Sequence, residues 1–300
     1  MLRQILAASV CCLVPLVAAA EDPVADIQMV AGPMGYTEGP AVAPDGSVYF
    51  TEAGPAHAVH RYDPETGETA VFLDKTESGG ANGLIFVEDT LVIAEDRLDR
   101  VVSVLQAEEM DRPLDMVIAF DSQPFNGPND LAIHTPSETL FFTDPKYGDK
   151  DFVLPFEAVF SVKDENYPDP PAVKLVTDQL ERPNGIAVHG DTLYVADNKA
   201  KTVVSAPIDA EGNVGEFEVF AELDAKHGPD GMTVAEDGRV FVTLWGEGVV
   251  VFSPDGEQIG FIATGEQTSN VTMAEDGGLW VTARNGLLKV APGAVPTLTQ

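Results

Sequence analysis

Apolar residues along this chain fall into short runs separated by turn residues. Val48-Tyr49-Phe50-Thr51, Leu91-Val92-Ile93-Ala94, Leu140-Phe141-Phe142-Thr143 and Leu193-Tyr194-Val195-Ala196 are typical, each bounded by Gly, Pro, Asn or Asp. Short runs rich in β-branched and aromatic residues, punctuated in this way, predict β-strands. No convincing long amphipathic helix appears. An alternating β/α architecture needs one after nearly every strand and is excluded.

The runs repeat. Six segments share one plan: an oxygen-bearing residue, an apolar strand, a turn and a second apolar strand. The leading residues are Glu38, Asn82, Asn129, Asn184, Asp230 and Asn270, spaced 40 to 55 residues apart. Roughly 40–50 residues make one propeller blade. The pattern predicts an all-β fold, a six-bladed β-propeller with four-stranded blades around a central channel. Asp26 to Ala31 is expected to close the ring beside Gly286 to Val290, which protects the sheet edges.

The first twenty residues are set apart from this repeat. Arg3, an apolar stretch from Ile5 to Val17 and the small residues Ala18-Ala19-Ala20 read as a signal peptide, with the mature chain starting near Glu21. The expected organisation is a signal peptide over 1–20 and one propeller domain over 21–300, in a secreted or periplasmic protein that no longer contacts the membrane after cleavage. Both cysteines, Cys11 and Cys12, fall in that segment. The mature domain then has no disulfide, zinc–thiolate site or cysteine nucleophile.

Charge narrows the partners. The chain has 17 Lys and Arg against 49 Asp and Glu, a formal net charge of −32. Such a surface repels nucleic acid and anionic lipid and favours cations. A monomer is the default expectation.

Equivalent positions in a ring of blades face one axis, so the six leading residues are expected to converge at one channel mouth. Asn-Gly and Asp-Gly are also ordinary turn pairs, but six in register, with Glu38 breaking the turn pattern, point to a metal. Carboxylates and amide carbonyls are hard oxygen donors that suit calcium; zinc, manganese and magnesium remain alternatives. Asn82 and Asn270 are expected as lining residues. Asp144 and Asp197 either support the site or cap strand-end turns. Tyr147 and Trp245 are expected either as walls of the mouth or as loop and inter-blade packing, and His227 either as a proton shuttle or as a loop residue. The sequence has no Gly-X-Ser-X-Gly elbow and no P-loop.

The motifs Thr37-Glu38-Gly39-Pro40, Gly127-Pro128-Asn129-Asp130, Phe142-Thr143-Asp144-Pro145-Lys146-Tyr147-Gly148, Arg182-Pro183-Asn184-Gly185, Tyr194-Val195-Ala196-Asp197 and Gly228-Pro229-Asp230-Gly231 resemble those of the senescence marker protein/gluconolactonase/luciferin-regenerating-enzyme-like family. The resemblance runs from Tyr36 to about Val290. It implies a calcium-type site of Glu38, Asn184 and Asp230, with Asn129 as a ligand or substrate contact, and Asp230 as general base. It implies a metal-dependent hydrolase that opens a lactone or related ester. Regucalcin-like members carry an arginine where this chain has Gly127, which removes their grip on sugar acids. A phosphotriesterase on the same scaffold and a non-enzymatic, calcium-stabilised binding propeller are the competing readings.

Overall fold

The computed structural model describes residues 26–53, 56–105, 113–147, 153–163 and 171–298. The signal-peptide expectation and both cysteines lie outside them. The described chain is built of six four-stranded antiparallel sheets, with no α-helix among the described residues. Five sheets take four consecutive strands each, and the sixth combines Thr268–Met273, Leu279–Ala283 and Gly286–Val290 with the first strand, Ile27–Ala31. The fold is the six-bladed propeller that the repeat predicts, closed by the segment expected to close it. Ile27 pairs with Val290 and Met29 with Leu288.

The innermost strands are Thr37–Val42, Ala81–Val87, Leu131–His134, Pro183–His189, Pro229–Val234 and Thr268–Met273. The next strand in each blade is almost wholly buried, because it packs on both neighbouring blades; Leu91, Ile93, Phe141, Phe142, Leu193, Val195, Phe241 and Leu279 are fully buried there. Removing any of these large side chains costs about 2–5 kcal/mol. In the third blade Phe125, Phe142 and Phe160 pack ring against ring, with centroids 5.1 to 5.4 Å apart.

Each blade ends in an outer strand that is more exposed and irregular. The pairing shifts register once in every outer pair, between Val59 and His60, Val101 and Val102, Val159 and Phe160, Val203 and Val204, Val251 and Phe252, and Met29 and Ala31. A bulge twists an edge away from further pairing, so six exposed edges are blunted by one repeated device.

Candidate metal centre at the channel mouth

A second set of register shifts lies at the inner end of the blades and builds the site. Pairing between the innermost strand and its neighbour slips between Glu38 and Ala41, Ala81 and Leu84, Pro183 and Ile186, Pro229 and Met232, and Thr268 and Asn270. Bulges re-aim side chains beside functional sites. Here they turn Glu38, Asn82, Asn184 and Asp230 toward the axis. In these four blades the next residue is glycine because another blade's backbone passes too close. A Cβ at Gly39 would lie 2.2 Å from the Asn82 carbonyl oxygen, and one at Gly185 2.4 Å from that of Asp230.

These side chains line a cavity of about 510 Å³ together with Asn129, and its walls include Tyr36, Tyr147, Trp245 and His227. The structure therefore brings together every candidate except Asn270. By pairing, Thr268 opposes Ala283 as Pro229 opposes Leu244. The blade-six equivalent of Asp230 is Ser269, and Asn270 stands one step deeper, at the position of the glycines. Its amide nitrogen donates to Asp130 Oδ2 at 3.2 Å. Asp130 occupies the same deeper level in the third blade. The pair crosses the channel, and a second cavity of about 300 Å³ lined by all six inner strands lies beyond it.

The chemistry of the mouth is dominated by buried oxygen. Glu38, Asn129, Asn184 and Asp230 are all buried. Asn184 donates through Nδ2 to Asp230 Oδ1 and to the Tyr147 hydroxyl, each at 2.6 Å. Tyr36 donates its phenol proton to Glu38 Oε1, and the Gly39 amide donates to Oε2 at 3.2 Å. Burial pushes the Glu38 carboxyl well above its ordinary range, and repulsion from Asp230 and Asp130 adds to this against the Tyr36 and Gly39 hydrogen bonds. Burial raises Asp230 to about 7, with Asp130 adding and Asn184 opposing. Asp130 is raised to about 7 by burial as well. No Lys or Arg lines this cavity among the described residues. Several acids buried without a counter-charge are costly, and a divalent cation is what such a set lacks.

The residues present fit that cation. The described residues contain no cluster of three His, Cys, Asp or Glu side chains arranged to hold a metal, so amide oxygens must complete any set with Glu38 and Asp230. Two carboxylates with amide oxygens match a hard ion such as calcium rather than a thiolate- or imidazole-loving one.

Buried hydroxyls fix the ligand backbone. Thr51, Thr143 and Thr243 on the second strands donate to the carbonyls of Asn82, Asn184 and Ser269 in the following blade, at 3.0, 2.7 and 2.6 Å. Ser269 Oγ donates to the Thr37 carbonyl at 2.6 Å and so continues the stitching across the ring closure. Asp144 and Asp197 serve loops rather than the mouth. Asp144 accepts from the Asn126 and Gly127 amides at 3.0 and 2.7 Å, and Asp197 from Glu181 and Ala200 at 2.8 and 3.3 Å.

Some lining residues escaped the sequence reading. Ala53, Asp96 and Asn198 line the mouth, and each, like Trp245, directly follows the second strand of its blade. The repeat marks this second ring as clearly as the first, but the sequence expectation covers only Trp245. Tyr36, two residues before Glu38, is the other omission; its ring meets Trp245 edge to face, 5.1 Å between centroids.

Residues 36–285 match the SMP-30/Gluconolactonase/LRE-like region. The chain belongs to that family. Among relatives, a pentonolactonase, XacC, of Haloferax volcanii is 28% identical over 267 residues, covering 83% of this chain and 81% of its own. Among solved structures, a gluconolactonase from Xanthomonas campestris superposes with a TM-score of 0.77 at 24% identity, covering 88% of each chain. A calcium-binding regucalcin from Agrobacterium tumefaciens superposes with a TM-score of 0.72 at 22% identity, over 87% of this chain and 92% of that one. At these identities the two superpositions establish the fold.

Proposed function

We propose that this family member is a metal-dependent lactonase that hydrolyses a small lactone to its hydroxy acid. The carrying observation is the pair of buried acids, Glu38 and Asp230, held with Asn184 in a channel mouth that no Lys or Arg lines among the described residues. The lactonase names of its relatives supply the substrate class. Glu38, Asn129, Asn184 and Asp230 would hold one divalent ion, calcium by donor type. When bound, that ion polarises the lactone carbonyl and stabilises negative charge developing on its oxygen.

The chain's own residues do the rest. Asp230 keeps Oδ1 on Asn184 and has Oδ2 to take the proton of a water attacking the carbonyl carbon. The ring C–O bond then breaks, and the same proton returns to the departing ring oxygen, leaving a hydroxy acid. The Tyr36–Trp245 pair forms one wall of the cavity against which the apolar face of the ring packs. Tyr147 fixes the Asn184 amide.

The test is hydrolysis of aldonolactones and aliphatic lactones, after chelation and again with calcium, magnesium, manganese or zinc, beside Glu38→Gln and Asp230→Asn. Turnover restored by metal in the wild type and absent from both folded variants supports the reading. Tight cation binding without turnover of any lactone removes it; turnover of a phosphotriester alone moves the function to that class.

A further inference from the structure

Beside the mouth is a second hollow of about 350 Å³ whose lining has the opposite character; it includes His57, Lys75, Ser78, Arg97 and Arg100, with Glu77 as its one acid. The same two loops build both cavities: Ala53 and Asp96 face the mouth, and His57 and Arg97 face the hollow.

The chain carries 49 acids to 17 bases, and some of its cations pair with carboxylates. Arg61 is paired with Asp45, Lys199 with Glu181, Arg239 with Asp237 and Lys289 with Asp276. Arg100 at the edge of the hollow is engaged by Glu95 and Asp115. Lys75 and Arg97 belong to no ion pair among the described residues. Glu77 Oε2 accepts from the Asp74 amide at 3.1 Å.

Arg97 is held in place rather than loose. Its methylene stem lies across Gly80, where a Cβ would come within 2.5 Å of Arg97 Cγ. Its Nη1 donates to His57 Nε2 at 2.6 Å. A guanidinium only donates, so Nε2 is the acceptor and the imidazole proton sits on Nδ1. That Nδ1 is buried and has no hydrogen-bond partner, which is an unfavourable arrangement. His57 also has a left-handed backbone, φ 44°.

We propose that this hollow is a binding site for a small oxyanion, a carboxylate or a tetrahedral anion, with Arg97 as the principal contact and Lys75 as a second. A fixed guanidinium fork suits two oxygens of one anion. The site stands apart from the metal centre and does not depend on the lactonase reading. A net charge of −32 opposes any anion, so saturable binding here demands a local device.

The test titrates sodium sulfate into the full-length protein by calorimetry at low ionic strength. One saturable site is expected in the wild type, weakened about tenfold or more in Arg97→Gln, the loss of one strong charge-assisted contact. Arg97→Lys should fall between the two, and Glu38→Gln should bind as the wild type does. Circular dichroism checks that the exposed Arg97 variants keep the fold. Absence of a saturable site, an unchanged affinity in Arg97→Gln, or loss in Glu38→Gln instead overturns the proposal. Competition by a sugar acid assigns the site to a carboxylate; sulfate binding that a sugar acid leaves untouched assigns it to a tetrahedral anion.

Discussion

The hydroxyl of Thr143 donates to the backbone carbonyl of Asn184, 2.7 Å away in the next blade. A residue with no access to the cavity thereby sets the height of one that faces it. Replacing Thr143 with Val keeps the volume and removes the hydroxyl, leaving unpaired both the buried Asn184 carbonyl and the Asp130 amide, which donates to Thr143 Oγ1 at 3.1 Å. Unfolding free energy should fall by about 1–3 kcal/mol, and cation affinity by roughly tenfold, read by urea melts and calcium titration. Blades two and four already carry Ala94 and Ala196 at the equivalent place, so a silent Thr143→Val would show that the stitch has no energetic weight.

The Asp130–Asn270 contact offers a cleaner exchange. Each side chain accepts through Oδ1 from the amide of its own successor, Leu131 at 2.9 Å and Val271 at 2.8 Å, and they meet across the channel at 3.2 Å. Asn270→Ala should lower stability by about 1–3 kcal/mol. The exchanged pair, Asp130→Asn with Asn270→Asp, preserves one donor and one acceptor and should recover most of that loss. A double-mutant cycle by chemical denaturation measures the coupling; no recovery would mean that Asp130 requires its charge where it is.

How much of this was legible before the fold was known depends on what repeats. Strand runs, turns and blade length recur six times, so the propeller and its closing strand follow from the sequence. The mouth residues were legible where oxygen-bearing side chains recur, but blade six misled. Asn270 has the expected side-chain type, whereas backbone pairing assigns the position to Ser269. A serine before a strand looks like any turn residue, and only the register of Thr268 with Ala283 distinguishes them. The Thr51, Thr143 and Thr243 stitches were invisible for another reason. Threonine is a common strand residue, and nothing in sequence shows that its hydroxyl reaches another blade.

Acid should stabilise part of this structure. Burial raises the Asp144 carboxyl to about 7, against the opposing amides of Asn126 and Gly127. Its folded value lies above its unfolded one, so its contribution is full below about pH 4 and is lost as pH rises through about 7. Asp144→Asn should flatten the dependence of the melting temperature on pH between 4 and 8. Parallel wild-type and variant profiles would rule Asp144 out as a source of that slope.

Chelation should lower the melting temperature of the wild type at neutral pH, because it leaves Glu38 and Asp230 buried together without a cation. Glu38→Gln removes one of the two charges. Its melting temperature should respond less to chelation, and differential scanning with and without chelator makes the comparison. An equal response in both proteins would place the bound cation elsewhere.

The pairing of Ile27–Ala31 with Gly286–Val290 sets a timetable for the chain. One partner is synthesised well before the other. Throughout that interval the early strand has no neighbour, and the growing ring remains an open arc with a raw edge at each side. Proofreading of length is therefore implicit: a chain truncated before Gly286 loses this paired closure and is left to hold its ring through inner contacts such as Ser269 Oγ on the Thr37 carbonyl.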